Sequence, residues 1–361
     1  MGRLSFPYLV AFVALTALPR CSEPIHVERR WTVMGTYASA RVYAEAEGDA
    51  DRVLDDIRAA LERVDASMSN WKDDSELSRL NREAAERPFV VEDPDLLRCI
   101  RMSLEYARVT RGAFDPTVGP LMRAYGFRPL DPRVPDDASL EEARAGVGWE
   151  KVAVVDGARA VRFEAPGVEI DLGGIAKGYA LDVAAREFAR ARVWGALIGL
   201  GGDLYAFGHP PGRATWTIGV RDPDDPSRIM ASVELANRAI STSGDYEQRF
   251  TRDGTSYGHI MARETGRPAR SDVVSATAIA DGGADSDALS TAMFVAGSPS
   301  AAEYLERARR VEAILLVEGR EGRTLLVSAS LEGKIEVDPG FASRIGGRVR
   351  YLLPPRALEP Q

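Results

Sequence analysis

A chain of 361 residues, 45% hydrophobic and 28% charged, has room for one large domain or two small ones and for a sizeable core. Its formal net charge of -8 and lack of a long basic run argue against a nucleic-acid partner, so an anionic ligand must be held by local groups. Two cysteines, Cys21 and Cys99, rule out a disulfide framework, and His26, His209 and His259 pair with no Cys or His at zinc spacing.

The first 21 residues read as a leader. Arg3 precedes the apolar run FPYLVAFVALTAL (6–18), too short and too Pro-interrupted for a transmembrane helix but suited to a signal peptide. Cys21 adds a lipoprotein reading, in which it becomes the lipidated first residue. Arg20, where a small residue is wanted, stands against that, and an uncleaved anchor is the other alternative.

WTVMGTYASARVYA (31–44) reads as the entry to a strand pair. Within 48–67, Val53, Ile57, Leu61 and Val64 recur at spacings of three and four, which predicts an amphipathic helix. MSNWKDDSELSRLN (68–81) reads as a polar loop, and a helix is expected near 93–110. The Pro- and Asp-rich stretch 128–140 reads as a surface loop or insertion. Residues 151–173 read as strand, turn, strand, strand, and 175–191 as a helix. Strands continue through 195–208, 216–223, 231–244, 247–261 and 275–280. ADSDALSTAMFVAG (284–297) is a helix, followed by a helix at 299–309 and a hairpin of 312–318 with 323–330. Many strands with few βαβ units imply an α+β fold, not a doubly wound sheet.

Five stretches carry candidate chemistry. In DLGGIAKGYALD (171–182) a strand ending at Asp171 passes Gly173 and Gly174 into a helix start, with Lys177 about one turn in. Helix starts attract anions, so this is phosphate-site chemistry; a tight turn with a surface lysine is the alternative. GLGGDLYAFG (199–208) reads as a bulge or close strand packing, with Asp203 placed to orient a neighbour. Ser241, Thr242, Ser243 and Asp245 around Gly244 are either turn chemistry or a polar wall around a ligand. His259 sits in an apolar strand, where it is either a satisfied structural residue or a proton acceptor near neutral pH. Asp287 and Thr291, four apart, share one helix face, while Asp285 stands where it would cap. A carboxylate and a hydroxyl so placed are hard oxygen donors suited to magnesium; a cap plus a packed threonine is the alternative.

Eight motifs in order resemble the ApbE family, the FAD:protein FMN transferases. They are MGTYASA, SNWKDDSELSRLN, GAFDPTVGPLMRAYGF, DLGGIAKGYALD, LGGDLYAFG, ISTSGDYEQRF, YGHIMARETGRPA and ADSDALSTAMFVAG. The resemblance makes 22–361 one ApbE-like domain with a core at about 31–330, of a T-fold-related architecture with mixed and antiparallel sheets and packed helices. It implies Mg²⁺-dependent cleavage of FAD, attachment of FMN to a Thr or Ser of an acceptor flavoprotein such as a redox-pump subunit, and release of AMP. It also implies export to the periplasmic side of the inner membrane, with an optional lipid anchor. Implied metal ligands are Asp287, Thr291 and the backbone of Gly174. Implied FAD contacts are Met34, Trp71, Ala113, Phe114, Asp115, Asp171, Lys177 and Ile260. His259 matches the family histidine that assists the acceptor hydroxyl, and Asp245 is a second candidate base. An FAD pyrophosphatase and a non-catalytic exported FAD-binding lipoprotein are the competing readings. SDVVSAT (271–277) faintly resembles a flavinylation motif, but its spacing is one residue short and its Thr277 falls in an expected core strand.

Overall fold

The computed structural model describes residues 24–155, 157–246, 248–308 and 310–352. The expected leader at 1–21, with Cys21, lies outside the described residues. Nine strands form the main sheet, in the spatial order Ile25–Val33, Thr36–Ala44, Val193–Leu200, Asp203–Gly208, Arg238–Gly244, Val273–Ala280, Glu312–Gly319, Gly322–Ser328 and Val349–Leu352. All neighbours are antiparallel except the last pair, which is parallel.

Strand alternation sets the layers. Along Glu312–Gly319, Ala313, Leu315 and Val317 join one core, while Ile314 and Leu316 join a second on the opposite face. The first core is completed by the helices Glu47–Met68, Pro94–Val109, Ala176–Arg190 and Gly283–Ala296. The second is covered by a small sheet of Trp216–Arg221, Ile229–Leu235 and Ile335–Val337. The result is three layers, helices on sheet on sheet, an α+β architecture. The helix-facing side of the central strands is small, with Ala239, Ala276 and Ala278, so Gly283–Ala296 beds closely through Ala284, Ala288 and Ala292. Among the described residues no helix is long and apolar enough to cross a membrane.

Several local expectations change. The polar loop over 68–81 ends at Ser75, whose hydroxyl accepts the Ser78 N–H at 3.0 Å and starts the helix Glu76–Glu83. The insertion at 128–140 is only half loop. Asp136 caps the helix Asp137–Ala145 by accepting the Ser139 N–H at 2.8 Å, and Leu140 and Ala143 pack with Leu121, Tyr125 and Phe127. Of the three strands expected in 151–173, Val152–Val155 and Ala160–Phe163 pair, but the third makes no ladder: the Asp171 N–H donates to the Pro116 carbonyl at 2.6 Å. Gly201 and Gly202, at φ +60° and +102°, form a two-residue hairpin turn rather than a bulge. His259 is not within a strand; it follows Thr255–Gly258 in the gap before Met261–Ala262. After the hairpin, the strand Ile335–Val337, the helix Pro339–Arg344 and the strand Val349–Leu352 were not foreseen. Thr277 is fully buried and bonded to Thr242 at 2.9 Å, which leaves it unsuited as an acceptor.

Candidate active site at the crossing of two helix starts

The helices Ala176–Arg190 and Gly283–Ala296 cross at their first turns. A Cβ on Gly178 would stand 2.1 Å from the Gly283 carbonyl oxygen, and one on Gly283 would stand 2.2 Å from that of Gly178. Only hydrogen fits at either position. The two helices cap each other. Asp182, on the first, accepts the N–H groups of Gly283 and Ala284 at 2.5 and 3.0 Å; Asp287, on the second, accepts the Gly178 N–H at 3.0 Å. Asp285, expected as the cap, lies within the first turn and accepts the Tyr106 hydroxyl instead. Burial pushes the Asp182 carboxyl up to about 6, against the pull of its two N–H donors.

Asp287 is 3% exposed. Lys177 is the second residue of its helix rather than a turn in, and its Nζ stands 3.5 Å from both Asp287 oxygens. The same ammonium is ion-paired with Asp203, just past the Gly201–Gly202 turn. Lys177 thus stands between two buried carboxylates. One turn beyond Asp287, the Thr291 hydroxyl lies 3.3 Å from where a Gly174 Cβ would stand, and the Phe114 ring 3.2 Å from it. The crossing therefore gathers Gly174, Lys177, Asp287, Thr291 and Phe114.

The other candidates flank this cluster or hold its loops. Asp171 accepts the Gly173 N–H at 2.7 Å through one oxygen, and pairs with the buried Arg128 through the other. Asn70 donates to the Ile170 carbonyl at 3.1 Å, which ties the loop of Trp71, itself 57% exposed, to the segment that ends at Asp171. Met34, at φ +52°, makes a hairpin turn with Gly35 and is partly buried against the main core, as are Ala113 and Ile260. The Asp115 carboxylate is spent within the protein, on its own loop and on two distant segments. It accepts the Thr117 N–H and hydroxyl, the Trp149 N–H and the Arg263 guanidinium at 2.8, 2.6, 3.2 and 3.0 Å.

The His259 Nδ1 lies 3.1 Å from the Gln248 carbonyl, which can only accept. The neutral ring therefore carries its proton on Nδ1 and its lone pair on Nε2, the tautomer a base requires. Burial lowers the His259 pKa and the Lys177 charge adds to this; the Gln248 carbonyl and the charges of Asp171 and Asp245 pull the other way. Asp245 stands beside the chain just before His259, its Cβ 3.1 Å from a Cβ built on Gly258. A cavity of about 470 Å³ lies elsewhere, lined by Arg111, Glu141, Arg144 and Arg263 among others. Its arginines are already ion-paired, and it includes neither Lys177 nor Asp287.

Residues 34–315 match the ApbE family.

The chain belongs to the ApbE family.

It is 31% identical to an FAD:protein FMN transferase of Vibrio cholerae serotype O1 over 90% of this chain and 98% of that one. It is likewise 31% identical to one of Treponema pallidum (strain Nichols), over 84% and 87%. Among solved structures it is similar to the flavin transferase ApbE from Vibrio cholerae, with a TM-score of 0.77 at 29% identity over 86% of this chain and 100% of that one. The ApbE protein from Thermotoga maritima gives a TM-score of 0.76 at 32% identity, over 86% and 99%. The mixed α+β fold of this ApbE-family chain is that of the solved ApbE structures.

Sequence reasoning missed Arg128 and Asp182, and gave Asp203 no partner. The signal for Asp182 was its place one turn after Gly178, on the face of a helix whose start must meet another. Arg128 left no signal, because a Pro-rich loop does not announce which carboxylate it will bury.

Proposed function

We propose that this chain is a Mg²⁺-dependent FAD:protein FMN transferase acting at the crossing of the two helix starts. Transferase chemistry follows from the family and its relatives at about 31% identity. The observation that carries the site is the meeting of Gly174, Asp287 and Thr291 beside Lys177. The donor set fits magnesium. One buried carboxylate, one hydroxyl and one backbone carbonyl would leave about half of a six-oxygen shell to phosphate and water. Among the described residues no three His, Cys, Asp or Glu side chains converge as a metal site, so no dedicated acidic cage competes with this sparse one. When bound, magnesium supplies Lewis-acid charge neutralisation at the pyrophosphate.

The protein does the rest by position and charge. Asp287, Thr291 and the Gly174 carbonyl would hold the cation, and Lys177 would add positive charge as negative charge builds on the departing AMP oxygen. Trp71 stacks on a ring of FAD, with Met34, Ala113, Phe114, Asp115, Asp171 and Ile260 around the rest. The acceptor Thr or Ser oxygen bonds to the FMN phosphorus as the bond to the AMP oxygen breaks. The hydroxyl proton passes to Nε2 of His259, with Asp245 beside it. Export to the periplasmic side belongs to the same proposal, and the apolar run at 6–18 supports it, with Cys21 the candidate for a lipid anchor and Arg20 standing against that.

The test uses protein lacking residues 1–21, FAD, Mg²⁺ and a domain carrying an Asp-to-Thr acceptor motif, read by intact mass. A Mg²⁺-dependent gain of one FMN on the acceptor, with AMP released, is expected, and both should be lost in Asp287→Ala. AMP and free FMN without labelling would turn the reading to a pyrophosphatase. Bound FAD with no AMP at all would leave a binding protein.

A further inference from the structure

Two serines on a strand face two serines on a helix. Ser241 and Ser243, two apart on Arg238–Gly244, meet Ser286 and Ser290, four apart on Gly283–Ala296, at 2.9 and 2.8 Å. The strand period of two and the helix repeat of nearly four bring both pairs into register. All four are buried. Their hydrogen bonds have a direction, because each hydroxyl owns one proton. The Ser290 hydroxyl donates to the Asp287 carbonyl at 2.9 Å, and a carbonyl only accepts. Ser290 has then spent its proton, so Ser243 must donate to Ser290. Ser243 has in turn spent its own, so at its 3.2 Å contact with Thr291 it can only accept. The chain therefore runs from the Thr291 hydroxyl through Ser243 and Ser290 to the Asp287 carbonyl.

We infer that Ser243 and Ser290 are positioning residues that aim the Thr291 hydroxyl, drawing its proton toward the strand and leaving its lone pairs for a cation beside Gly174 and Asp287. This rests on the proposed magnesium site and deepens it. A threonine hydroxyl free to rotate would spend part of its time presenting a proton to the cation. One bound to Ser243 is already set as a ligand, so the order is built before the metal arrives. The neighbouring pair provides an internal comparison. Ser286 donates to the Gly283 carbonyl at 2.9 Å, so Ser241 donates to Ser286 by the same logic, but this rung ends without reaching Thr291.

The experiment titrates Mn²⁺ into the full chain at saturating FAD and reads free Mn²⁺ by electron paramagnetic resonance, with the melting temperature and cation-free FAD affinity measured alongside. Ser243→Ala should weaken Mn²⁺ binding about tenfold, the worth of one oriented hydrogen bond, with FAD affinity unchanged. Ser243→Thr, which keeps the hydroxyl, should recover most of it. Ser290→Ala removes the end of the chain and frees the Ser243 proton to turn on Thr291, so it should also weaken Mn²⁺. Ser241→Ala, a similar loss in the rung that does not reach Thr291, should leave Mn²⁺ affinity alone. Wild-type affinity in both Ser243→Ala and Ser290→Ala would overturn the inference, as would equal losses in Ser241→Ala. Absence of Mn²⁺ binding by the unmutated chain would instead sink the magnesium site itself.

Discussion

Gly178 and Gly283 meet backbone to backbone, each leaving no room for a Cβ on the other. This contact lets Asp287 reach the Gly178 N–H and sets Lys177 beside it. Gly178→Ala must push the two helix starts apart. Overpacking against a carbonyl costs about 3 kcal/mol, so the melting temperature should fall by roughly 4 °C in a domain of this size. FAD cleavage should fall with it, because the shift separates Lys177 from Asp287. Differential scanning calorimetry and AMP release read the two effects, and an unchanged melting temperature would show that the helices do not touch here.

Asp203 keeps Lys177 from settling wholly on Asp287. In Asp203→Asn the ammonium loses its pair with Asp203 and leans more on Asp287. A cation must then displace the lysine from Asp287. The Mg²⁺ concentration for half-maximal AMP release should rise by about five- to tenfold, with little change in the rate at saturating Mg²⁺. A drop in that rate with no change in Mg²⁺ requirement would assign Asp203 another role.

The pH profile of transfer should report His259. Its pKa lies below the ordinary 6.5 because burial disfavours the charged ring. A base works when deprotonated, so transfer should be full at neutral pH and fall as pH drops through an inflection below that value. His259→Gln should remove the inflection and cost roughly 10²–10⁴-fold in acceptor labelling. Persistence of the inflection in that variant would move the base elsewhere, with Asp245 the next residue to replace.

Asp182 gives stability a pH dependence of its own. Its carboxyl holds its proton up to about 6 in the folded chain, against 3.8 ordinarily. Between these values the folded state binds more protons than the unfolded one, so stability falls as pH rises from about 4 to 6 and is level above. The drop is on the order of 3 kcal/mol. Asp182→Asn should flatten that part of the melting-temperature profile. An equally steep slope in the variant would place the proton on another carboxyl.

Much of this architecture was legible in the residues, and the failures have physical causes. The helix through Val53, Ile57, Leu61 and Val64 declared itself by period, and the hairpin at 312–330 by strand composition. The chain after Leu331 was not legible, because Ile335–Val337 is three residues long and finds its partner Ile229–Leu235 about 100 positions earlier. Asp285 misled as a cap because N-cap rules look along one chain segment, whereas the true acceptor, Asp182, comes from the crossing helix. The pairing of Asp287 with Thr291 on one helix face was readable from spacing alone. Their meeting with Gly174 and Lys177 was readable only through the family resemblance, since it depends on the Gly178–Gly283 contact between distant segments. The serine ladder lies between these cases. Ser241 with Ser243, and Ser286 with Ser290, show the strand and helix periods, yet only the fold reveals that they face each other.

The most direct measurement is anomalous diffraction from crystals of the chain lacking residues 1–21, soaked with Mn²⁺ and FAD. A peak is expected within about 2 Å of the Asp287 carboxylate, the Thr291 hydroxyl and the Gly174 carbonyl, with the FAD pyrophosphate against it and beside Lys177. A cation bound away from Asp287 and Thr291, or FAD seated with its pyrophosphate far from Lys177, would contradict it.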